Sequence, residues 1–385
     1  MAKLSDYVSI KASSKKLVGD DFWLLNLDMV EQQTGRVIEY NRVSADKLDG
    51  SIIQFDTDCV LYSKLRPNLN KVVLPEIDGY ATSEMLPLRP NTAVLSREYL
   101  AEYLRSDHFV TWAVSKTAGA KMPRLGSKEL LSKELQIPSI EEQAHIVALF
   151  RQIAELINTK KHELDILDEL VKSRFIELFG DPMNNPMGWD RVNISAVVGG
   201  KVSNGFFAKR DDYCDDGNVR VLGVAHVVNR MYSNTEGLPK TNGTKADIAK
   251  YGVKYGDMLF CRSSLVAAGI GKASIVPENV PSNVLFECHV IRLPLDLTKC
   301  VPEFMQVLST TEYFRSQVIA QSKTATMTTI GQDGILKTDI ILPPLELQKK
   351  FLDFVKETDK SKLAVQQSIA ELEELKKALM QKYFG

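Results

Sequence analysis

Residues 137–180 read IPSIEEQAHIVALFRQIAELINTKKHELDILDELVKSRFIELFG, and residues 342–385 read LPPLELQKKFLDFVKETDKSKLAVQQSIAELEELKKALMQKYFG. The two stretches align over 44 positions without a gap, at a constant offset of 205. Nine positions are identical, and in the first stretch they are Pro138, Glu141, Gln143, Leu167, Glu169, Leu170, Lys172, Phe179 and Gly180. Because the identities cluster at the two ends and in the second half, the chain is expected to contain two copies of one structural unit.

Each stretch is predicted to form one long helix. Ser139 and Glu142 fit a capping box at the start of the first, and proline at position 344 suits the start of the second. The apolar stripe of the first helix is Ile146, Phe150, Ile153, Ile157, Leu164, Leu167 and Val171. The stripe of the second is Phe351, Leu352, Val355, Val365, Ile369, Leu372, Leu375 and Leu379. A helix of roughly 38 residues is about 57 Å long, and the simplest way to bury two such stripes is to pack them against each other.

The stretch DPMNNPMGWD after Gly180 contains two prolines and two asparagines, so it should end the first helix. This boundary predicts four parts. They are a globular domain at 1–138, a helix at 139–180, a second globular domain at 181–343 and a second helix at 344–385.

The first globular part mixes short β-like runs, namely RVIEY, SIIQF, DCVLYSKL and KVVLPEIDGY, with a helical pattern from Ser96. The second part repeats this plan, since DMLFC from Asp257 resembles DCVLY, and EFMQVLSTTEYF from Glu303 resembles EYLAEYLRSDHF. In the loops before the long helices, Ala120, Met122, Leu125, Gly126 and Leu131 match Ala325, Met327, Ile330, Gly331 and Leu336 at the same offset. The predicted fold class is therefore α+β, with two mixed α/β domains joined by two long helices packed as an antiparallel coiled coil.

The composition is that of a globular protein. A chain of 385 residues with 44% hydrophobic residues can bury a large core. The five cysteines form no CxxC pair, and no apolar run is long enough for a signal peptide or membrane span. A cytoplasmic protein is expected. The net charge is −1, so the chain does not have the excess of basic residues that is typical of a protein binding nucleic acid without partners.

Familiar catalytic motifs are missing from the sequence, including GxxxxGK[ST], HExxH, GxSxG and the N-P-P-Y or D-P-P-Y of amino-methyltransferases. The run from Gly269 to Lys272 resembles the end of a phosphate loop but is better read as a turn, because Ala273 stands where a hydroxyl would hold magnesium. Cys288 and His289 lack partners at metal-binding spacing. No metal or cofactor site is predicted in this chain, and a self-contained enzyme would need catalytic residues that the sequence does not provide.

The arrangement of motifs resembles the specificity subunit of a type I restriction-modification system. Four features carry the resemblance: the PSIEEQ and PPLELQ helix starts, the FG helix ends, the FGDPMNNPMGW linker and the strand GDMLFCRSS at 256–264. Leu347 departs from the pattern, because the equivalent residue of the first copy is Glu142.

The resemblance implies a non-catalytic, sequence-specific DNA-binding subunit. Each globular domain would be a target-recognition domain that reads one half of an interrupted, asymmetric site in double-stranded DNA, and the helices would set the unread gap. Two methyltransferase subunits would dock on the helices, and restriction subunits could join them. S-adenosylmethionine, ATP and Mg would be bound by those partners, and no membrane is involved.

Candidate DNA-binding residues are polar or basic and lie in predicted loops. In the first domain they are Lys64, Arg66, Asn68, Asn70, Lys116, Thr117, Lys121 and Arg124. In the second they are Ser203, Asn204, Lys209, Arg210, Arg262, Ser263, Ser264, Lys323, Thr324, Thr326, Thr328 and Thr329.

Two other functions remain open at this point. The chain could be the recognition subunit of another bipartite-site restriction-modification system, in which methylation and cleavage share one polypeptide. It could also be a coiled-coil adaptor whose globular domains bind proteins. An adaptor would show no methyltransferase-dependent shift of a DNA duplex.

Overall fold

The computed structural model describes residues 2–44, 46, 48, 51–119 and 121–385. It divides into two compact units: unit 1 is Met1–His162 with Gln366–Gly385, and unit 2 is Glu163–Val365. Both units combine strands and helices, so the predicted mixed α/β fold with long helices is confirmed. Within the described residues, no helix combines the length and apolar character needed to cross a membrane.

Unit 1 is built from short strands followed by helices. The strands are β1 (Ala2–Lys3), β2 (Val8–Ile10), β3 (Asp21–Leu25), β4 (Arg42–Ser44), β5 (Ile52–Phe55), β6 (Val60–Ser63), β7 (Val72–Val73), β8 (Gly79–Thr82), β9 (Met85–Pro90) and β10 (Glu134–Leu135). The helices are α1 (Arg97–Arg105), α2 (Asp107–Ser115), α3 (Ser127–Ser132) and the first part of α4 (Ile140–Phe179). One sheet has the strand order β2-β9-β6-β7, and another has the order β4-β3-β8-β5.

Unit 2 begins in the second part of α4 and follows a similar plan. Its strands are β11 (Asp190–Asn193), β12 (Ser203–Asn204), β13 (Val219–Leu222), β14 (Lys240–Thr241), β15 (Asp257–Cys261), β16 (Ser263–Ser264), β17 (Ala273–Ile275), β18 (Val284–Phe286), β19 (Val290–Pro294), β20 (Lys323–Thr324), β21 (Thr328–Thr329) and β22 (Asp339–Leu342). Its helices are α5 (Val224–Val227), α6 (Lys245–Tyr251), α7 (Pro302–Thr310), α8 (Glu312–Ala320), α9 (Gln332–Leu336) and the first part of α10 (Leu345–Phe384). Its main sheet, β12-β19-β15-β17, matches the order β2-β9-β6-β7 of unit 1.

The sequence offset between the two copies extends beyond the long helices into the globular parts. The same offset separates the starts of α1 and α7, of α2 and α8, of α3 and α9, and of the long helices α4 and α10. It also separates the starts of strands β9 and β19. The internal repeat therefore includes the framework of each unit as well as its long helix.

In unit 1, one local expectation is confirmed with a break and another is wrong. The helical pattern from Ser96 forms two helices rather than one, because Ser106 adopts an extended conformation and its hydroxyl accepts a hydrogen bond from the Phe109 amide at 3.2 Å. The run RVIEY at 36–40 does not form a strand. The Glu31 amide donates to the Arg36 carbonyl at 2.8 Å, so this run closes a turn, and its one β-bridge joins Val37 to Val30.

The two long helices each contain 40 residues, or about 60 Å of helix. In unit 1, Phe150 of α4 stacks on Phe384 near the end of α10, with ring centroids 5.8 Å apart. In unit 2, Phe175 near the end of α4 meets Phe351 near the start of α10 at 5.7 Å. Asp168 of α4 also pairs with Lys362 of α10 in unit 2, at 2.7 Å. Moving forward along α4, from Asp168 to Phe175, thus means moving backward along α10, from Lys362 to Phe351, so the two helices run in opposite directions in unit 2.

The buried stripes largely follow the predicted positions. The stripe residues that are buried are Ile146, Phe150, Ile153, Ile157, Val171, Phe351, Val355 and Val365. Leu375, however, is 48% exposed, so its place in the predicted stripe is wrong. Helix α4 ends as expected at Gly180, whose φ of +74° favours glycine, and a Cβ there would lie 2.6 Å from Pro186.

The start of each long helix is fixed by a buried glutamine that belongs to the repeated motif. The Gln143 amide nitrogen donates to the carbonyls of Val94 and Pro138, at 2.8 and 2.9 Å, and its oxygen accepts from the Ser96 amide at 2.8 Å. At the start of α4, the Ser139 hydroxyl also accepts from the Glu142 amide at 3.2 Å, which is the forward half of the predicted capping box.

Gln348 makes the same three hydrogen bonds at the equivalent position of the second copy. Its nitrogen donates to the Lys299 and Pro343 carbonyls, at 3.4 and 2.8 Å, and its oxygen accepts from the Val301 amide at 2.9 Å. Both glutamines are fully buried. The motif thus ties each long helix to the segment that precedes α1 or α7.

A buried carboxyl group lies in unit 2 at the start of α7. Glu303 is 1% exposed and accepts hydrogen bonds from the hydroxyls of Tyr232 at 3.0 Å and Tyr255 at 3.2 Å. Burial raises the pKa of this carboxyl above its ordinary value, and the two hydroxyls only partly oppose the shift.

Replacing Glu303 with glutamine should flatten the pH dependence of the stability of unit 2. Since the folded-state pKa is raised, the carboxyl contributes its full stability below about pH 4.5 and loses it as pH rises through the folded-state value. In urea unfolding between pH 4 and pH 8, the free energy of unfolding of the Glu303→Gln protein should increase relative to that of the parent as pH rises. Glu312→Gln, at an exposed position on α8, is the control. Parallel pH profiles for the parent and Glu303→Gln would contradict this expectation.

Candidate nucleic-acid interface

Three segments of unit 1 meet where β6 ends. The Lys64 amide donates to the Glu84 carbonyl at 3.0 Å, and the Leu125 amide donates to the Lys64 carbonyl at 2.9 Å. The loop after β6, the turn between β8 and β9, and the loop before α3 are thereby joined by backbone hydrogen bonds. We call this meeting point the unit 1 junction.

The side chain at the centre of the unit 1 junction is Glu84. Arg124 approaches it side-on, with Nε 3.2 Å from both carboxylate oxygens and Nη2 3.1 Å from Oε1. The Lys64 ammonium lies 4.0 Å from the same carboxylate. Sequence reasoning predicted Lys64 and Arg124 but missed Glu84, which is distant from Arg124 along the chain and lies in a turn with no motif of its own.

The other unit 1 candidates surround the junction unevenly. Arg66 is exposed, has a left-handed φ of +49°, and donates its amide to the Pro123 carbonyl at 2.8 Å. Asn68 is exposed in the next turn. Asn70 is only 6% exposed and donates its side-chain amide to the Arg105 carbonyl at 2.9 Å. Its visible role is therefore to hold this loop to the end of α1.

The loop after α2 carries the remaining candidates of unit 1. Lys116 and Lys121 are exposed, whereas the Thr117 hydroxyl donates to the Val114 carbonyl at 2.8 Å and so terminates the helix. The amide of Ala118 donates to the Arg124 carbonyl at 3.0 Å, and the Arg124 amide donates back at 2.9 Å. This pairing closes the loop and brings Lys121 near its tip. Ala120, part of the predicted repeat, lies outside the described residues.

Unit 2 contains the same junction at equivalent positions. The Arg262 amide donates to the His289 carbonyl at 2.8 Å, and the Ile330 amide donates to the Arg262 carbonyl at 3.0 Å. These bonds match those of Lys64 with Glu84 and Leu125, so Arg262 corresponds to Lys64 and His289 to Glu84. We call this meeting point the unit 2 junction.

The unit 2 junction gathers most of the predicted residues of the second domain into a small sheet with the order β16-β21-β20. Ser263 pairs with Thr329 and Ser264 with Thr328, while Lys323 and Thr324 pair with the other edge of the same strand. The Thr324 and Thr328 hydroxyls are 3.0 Å apart, and Thr328 is buried. Thr326 is exposed in the turn that joins β20 to β21.

His289 is the residue of this junction that sequence reasoning did not assign to DNA. It is exposed, and its Nδ1 lies 2.8 Å from the Ser263 hydroxyl. Arg262 donates from Nη1 to the neighbouring Cys288 carbonyl at 3.2 Å. Among the described residues, no group of three or more His, Cys, Asp and Glu side chains is placed to hold a metal ion.

The last four candidates of unit 2 lie apart from the small sheet. Ser203 and Asn204 form β12, opposite Arg292 and Ile291 of β19. Lys209 and Arg210 lie at the start of a separate helical turn, in which the Lys209 amide donates to the Asp212 carboxylate at 2.7 Å. In the part of the chain that the structure describes, no hydrogen bond or ion pair joins these two residues to the junction.

The two junctions share a backbone framework but display different side chains. The unit 1 junction presents arginine, lysine and glutamate, whereas the unit 2 junction presents serine, threonine, histidine and arginine. Such groups, held on loops by a fixed scaffold, are the donors and acceptors that read base edges and contact phosphates. Two frameworks with different side chains are suited to two different polar targets.

Comparisons with known proteins show which family and fold this chain resembles. The sequence model of the family described as "Type I restriction modification DNA specificity domain" matches residues 186–374. The chain is 22% identical over 316 residues to the MjaVIII specificity subunit of Methanocaldococcus jannaschii. This alignment covers 78% of the present chain and 72% of the MjaVIII subunit. It is 24% identical over 136 residues to the EcoDI specificity subunit of Escherichia coli, covering 35% of this chain and 30% of that one. The chain thus spans about a third of the EcoDI subunit.

Solved structures show the same fold. One chain, from work on complex assembly and conformational transition of the type I R-M system, has a TM-score of 0.62 at 17% identity, covering all of this chain and 96% of that one. The S subunit of a type I restriction-modification system from M. genitalium gives a TM-score of 0.50 at 11% identity, covering all of this chain and 95% of that one.

The family match thus covers residues 186–374, just under half of the chain. The matches are to type I restriction-modification specificity subunits, the family that the motifs of this chain resemble.

Proposed function

We propose that this chain is the non-catalytic DNA-recognition subunit of a type I restriction-modification complex. Each junction reads one half of an interrupted, asymmetric site in double-stranded DNA. The observation that carries the proposal is that one hydrogen-bonded framework occurs twice with different polar side chains. A subunit that reads two different half-sites needs such a pair of surfaces.

The domain organisation proposed for this function has four parts: recognition domains at 1–138 and 181–343, and spacer helices at 139–180 and 344–385. We propose that the helices pack as an antiparallel coiled coil that sets the unread gap. The opposite directions of α4 and α10 in unit 2 support this pairing. In unit 2, an ion pair between Lys362 and Asp168 at 2.7 Å also links the two helices.

The spacer helices are also the proposed docking surface for two methyltransferase subunits, which restriction subunits can join. Ile166, Leu170 and Ile176 of α4 in unit 2 are between 45% and 53% exposed, and Leu363 of α10 is 65% exposed. Apolar side chains at this exposure favour a protein partner. S-adenosylmethionine, ATP and Mg would be bound by the partner subunits, and the near-neutral charge of this chain suits a reader whose partners neutralise much of the phosphate charge.

The recognition role can be tested on the complex with its methyltransferase subunits. Replacing Arg262 with alanine should weaken binding to duplexes that carry the site, because an arginine at the unit 2 junction is lost. Competition with duplexes altered in one half-site at a time should show that the variant loses discrimination in only one of the two half-sites, the one read by unit 2. Equal binding to cognate and scrambled duplexes by the parent complex would contradict the proposed function.

Inserting four residues after Asn158 should lengthen the unread gap and leave both half-sites intact. Four residues add about 6 Å of helix, which corresponds to about two base pairs at ~3.4 Å each. Maps of methylated adenines would show the change, with Glu155→Ala, an exposed substitution without a length change, as the control. Altered half-sites with an unchanged gap would contradict the spacer role.

A further inference from the structure

We propose that Glu84 is a positioning residue that aims Arg124 at a guanine in the half-site read by unit 1. The inference rests on the proposed function and deepens it, because it names one base contact and the residue that creates it. Neither the motifs nor the repeat pointed to Glu84.

The geometry of the ion pair determines which donors of Arg124 are free. A guanidinium has five N–H donors in a planar fork. Glu84 takes the side edge, where Nε and Nη2 lie 3.1 to 3.2 Å from its oxygens. The terminal edge, formed by Nη1 and the second hydrogen of Nη2, remains available for a planar partner.

The pair is accessible and well anchored. The Arg124 side chain is 43% exposed, whereas that of Glu84 is 25% exposed. The backbone of Arg124 is paired with Ala118, and that of Glu84 is held by the Lys64 amide. A side chain fixed at both its backbone and its guanidinium loses little freedom when it binds, so it suits recognition of one defined base.

The terminal edge of a guanidinium matches guanine, which presents O6 and N7 as two adjacent acceptors in the major groove. Adenine offers N7 beside an N6 donor, so it cannot accept both hydrogen bonds. A phosphate would also accept a bidentate arginine. Orientation by a carboxylate from the protein favours the base, since sequence-independent phosphate contacts do not require this carboxylate, whose negative charge repels DNA.

The second repeat shows that the arrangement is specific to unit 1. Thr329 occupies the position of Arg124, and His289 occupies the position of Glu84. This guanine contact is therefore expected in one half-site only, and the other half-site acts as an internal control.

The test maps methylated adenines produced by the full complex with the parent chain, Glu84→Gln, Arg124→Lys and Arg124→Ala. Each variant should lose discrimination at one and the same G·C pair of one half-site, by about 5- to 150-fold, the value of one bidentate base contact. The other half-site and the gap should not change. Arg124→Lys keeps the charge but lacks the fork, so it separates base reading from charge.

A second measurement distinguishes positioning from a structural role. Glu84→Gln removes a negative charge beside Lys64 and Arg124, so binding to a duplex without the site should stay equal or tighten while discrimination falls. The matched control is Arg36→Ala, which breaks an exposed ion pair with Glu31 elsewhere in unit 1 and should leave the motif unchanged.

The outcomes separate the two proposals. A parent complex that methylates no split motif would overturn the proposed function and this inference with it. A split motif that stays identical in Glu84→Gln and Arg124→Lys would overturn the inference alone. A loss of methylation that is equal at all sites, with no change at any base position, would assign Arg124 to a phosphate and also overturn it.

Discussion

Replacing Gln143 with alanine should lower the free energy of unfolding of unit 1 by about 3 to 5 kcal/mol, because each buried polar group left without a partner costs about 1 to 3 kcal/mol. The groups concerned are the Ser96 amide and the carbonyls of Val94 and Pro138. Gln143 itself is fully buried, and its three hydrogen bonds are partly buried, so the substitution removes the protein partner of all three backbone groups.

Urea unfolding and hydrogen exchange at the Ser96 amide would measure this effect. The exchange rate at Ser96 should rise far more than rates in the sheets of unit 1. Gln152→Ala is the matched control, since Gln152 is an exposed glutamine on the same helix. Equal unfolding curves and unchanged exchange for Gln143→Ala would show that the repeated glutamine does not hold the start of α4.

Replacing Phe179 with alanine should destabilise unit 2 by about 3 to 5 kcal/mol, the usual cost of removing a buried phenylalanine side chain. Phe179 is fully buried, and its ring lies 4.8 Å from that of Phe304 and 5.6 Å from that of Phe351. Its carbonyl also accepts a hydrogen bond from the Trp189 indole at 2.9 Å. The substitution would therefore leave a cavity where α4, α7 and α10 meet.

Ile176→Ala provides the control for the same helix, because Ile176 is 45% exposed and should change stability by less than about 0.5 kcal/mol. Trp189 fluorescence during unfolding would report on the site of the cavity. If both substitutions had the same small effect, Phe179 would not anchor the end of α4.

The long helices were predictable because their signals are local. An apolar stripe, a proline or serine at the start and glycine at the end each act within a few positions of the chain. The break at Ser106 was missed because the apolar spacing continues across it, while the decisive hydrogen bond depends on the extended backbone of one serine. Leu375 fits the stripe by spacing but is half-exposed, since spacing does not show which face has a neighbour.

The sequence predicted the loops around each junction but not the residue at its centre. Loops rich in Lys, Arg, Ser and Thr identified both sides of each junction. Glu84 and His289 come from the turn between two strands, and only the sheet brings this turn beside loops that are distant along the chain. Asn70 is the reverse case, a residue that was predicted because its type suits DNA. Its side-chain amide instead holds the loop to the end of α1.

The central claim is most directly tested by co-expressing the chain with its methyltransferase subunits and mapping methylated adenines across a genome by long-read sequencing. The account predicts one motif made of two different half-sites separated by a gap of constant length. Methylated adenines that share no split motif, or a gap that varies from site to site, would contradict it.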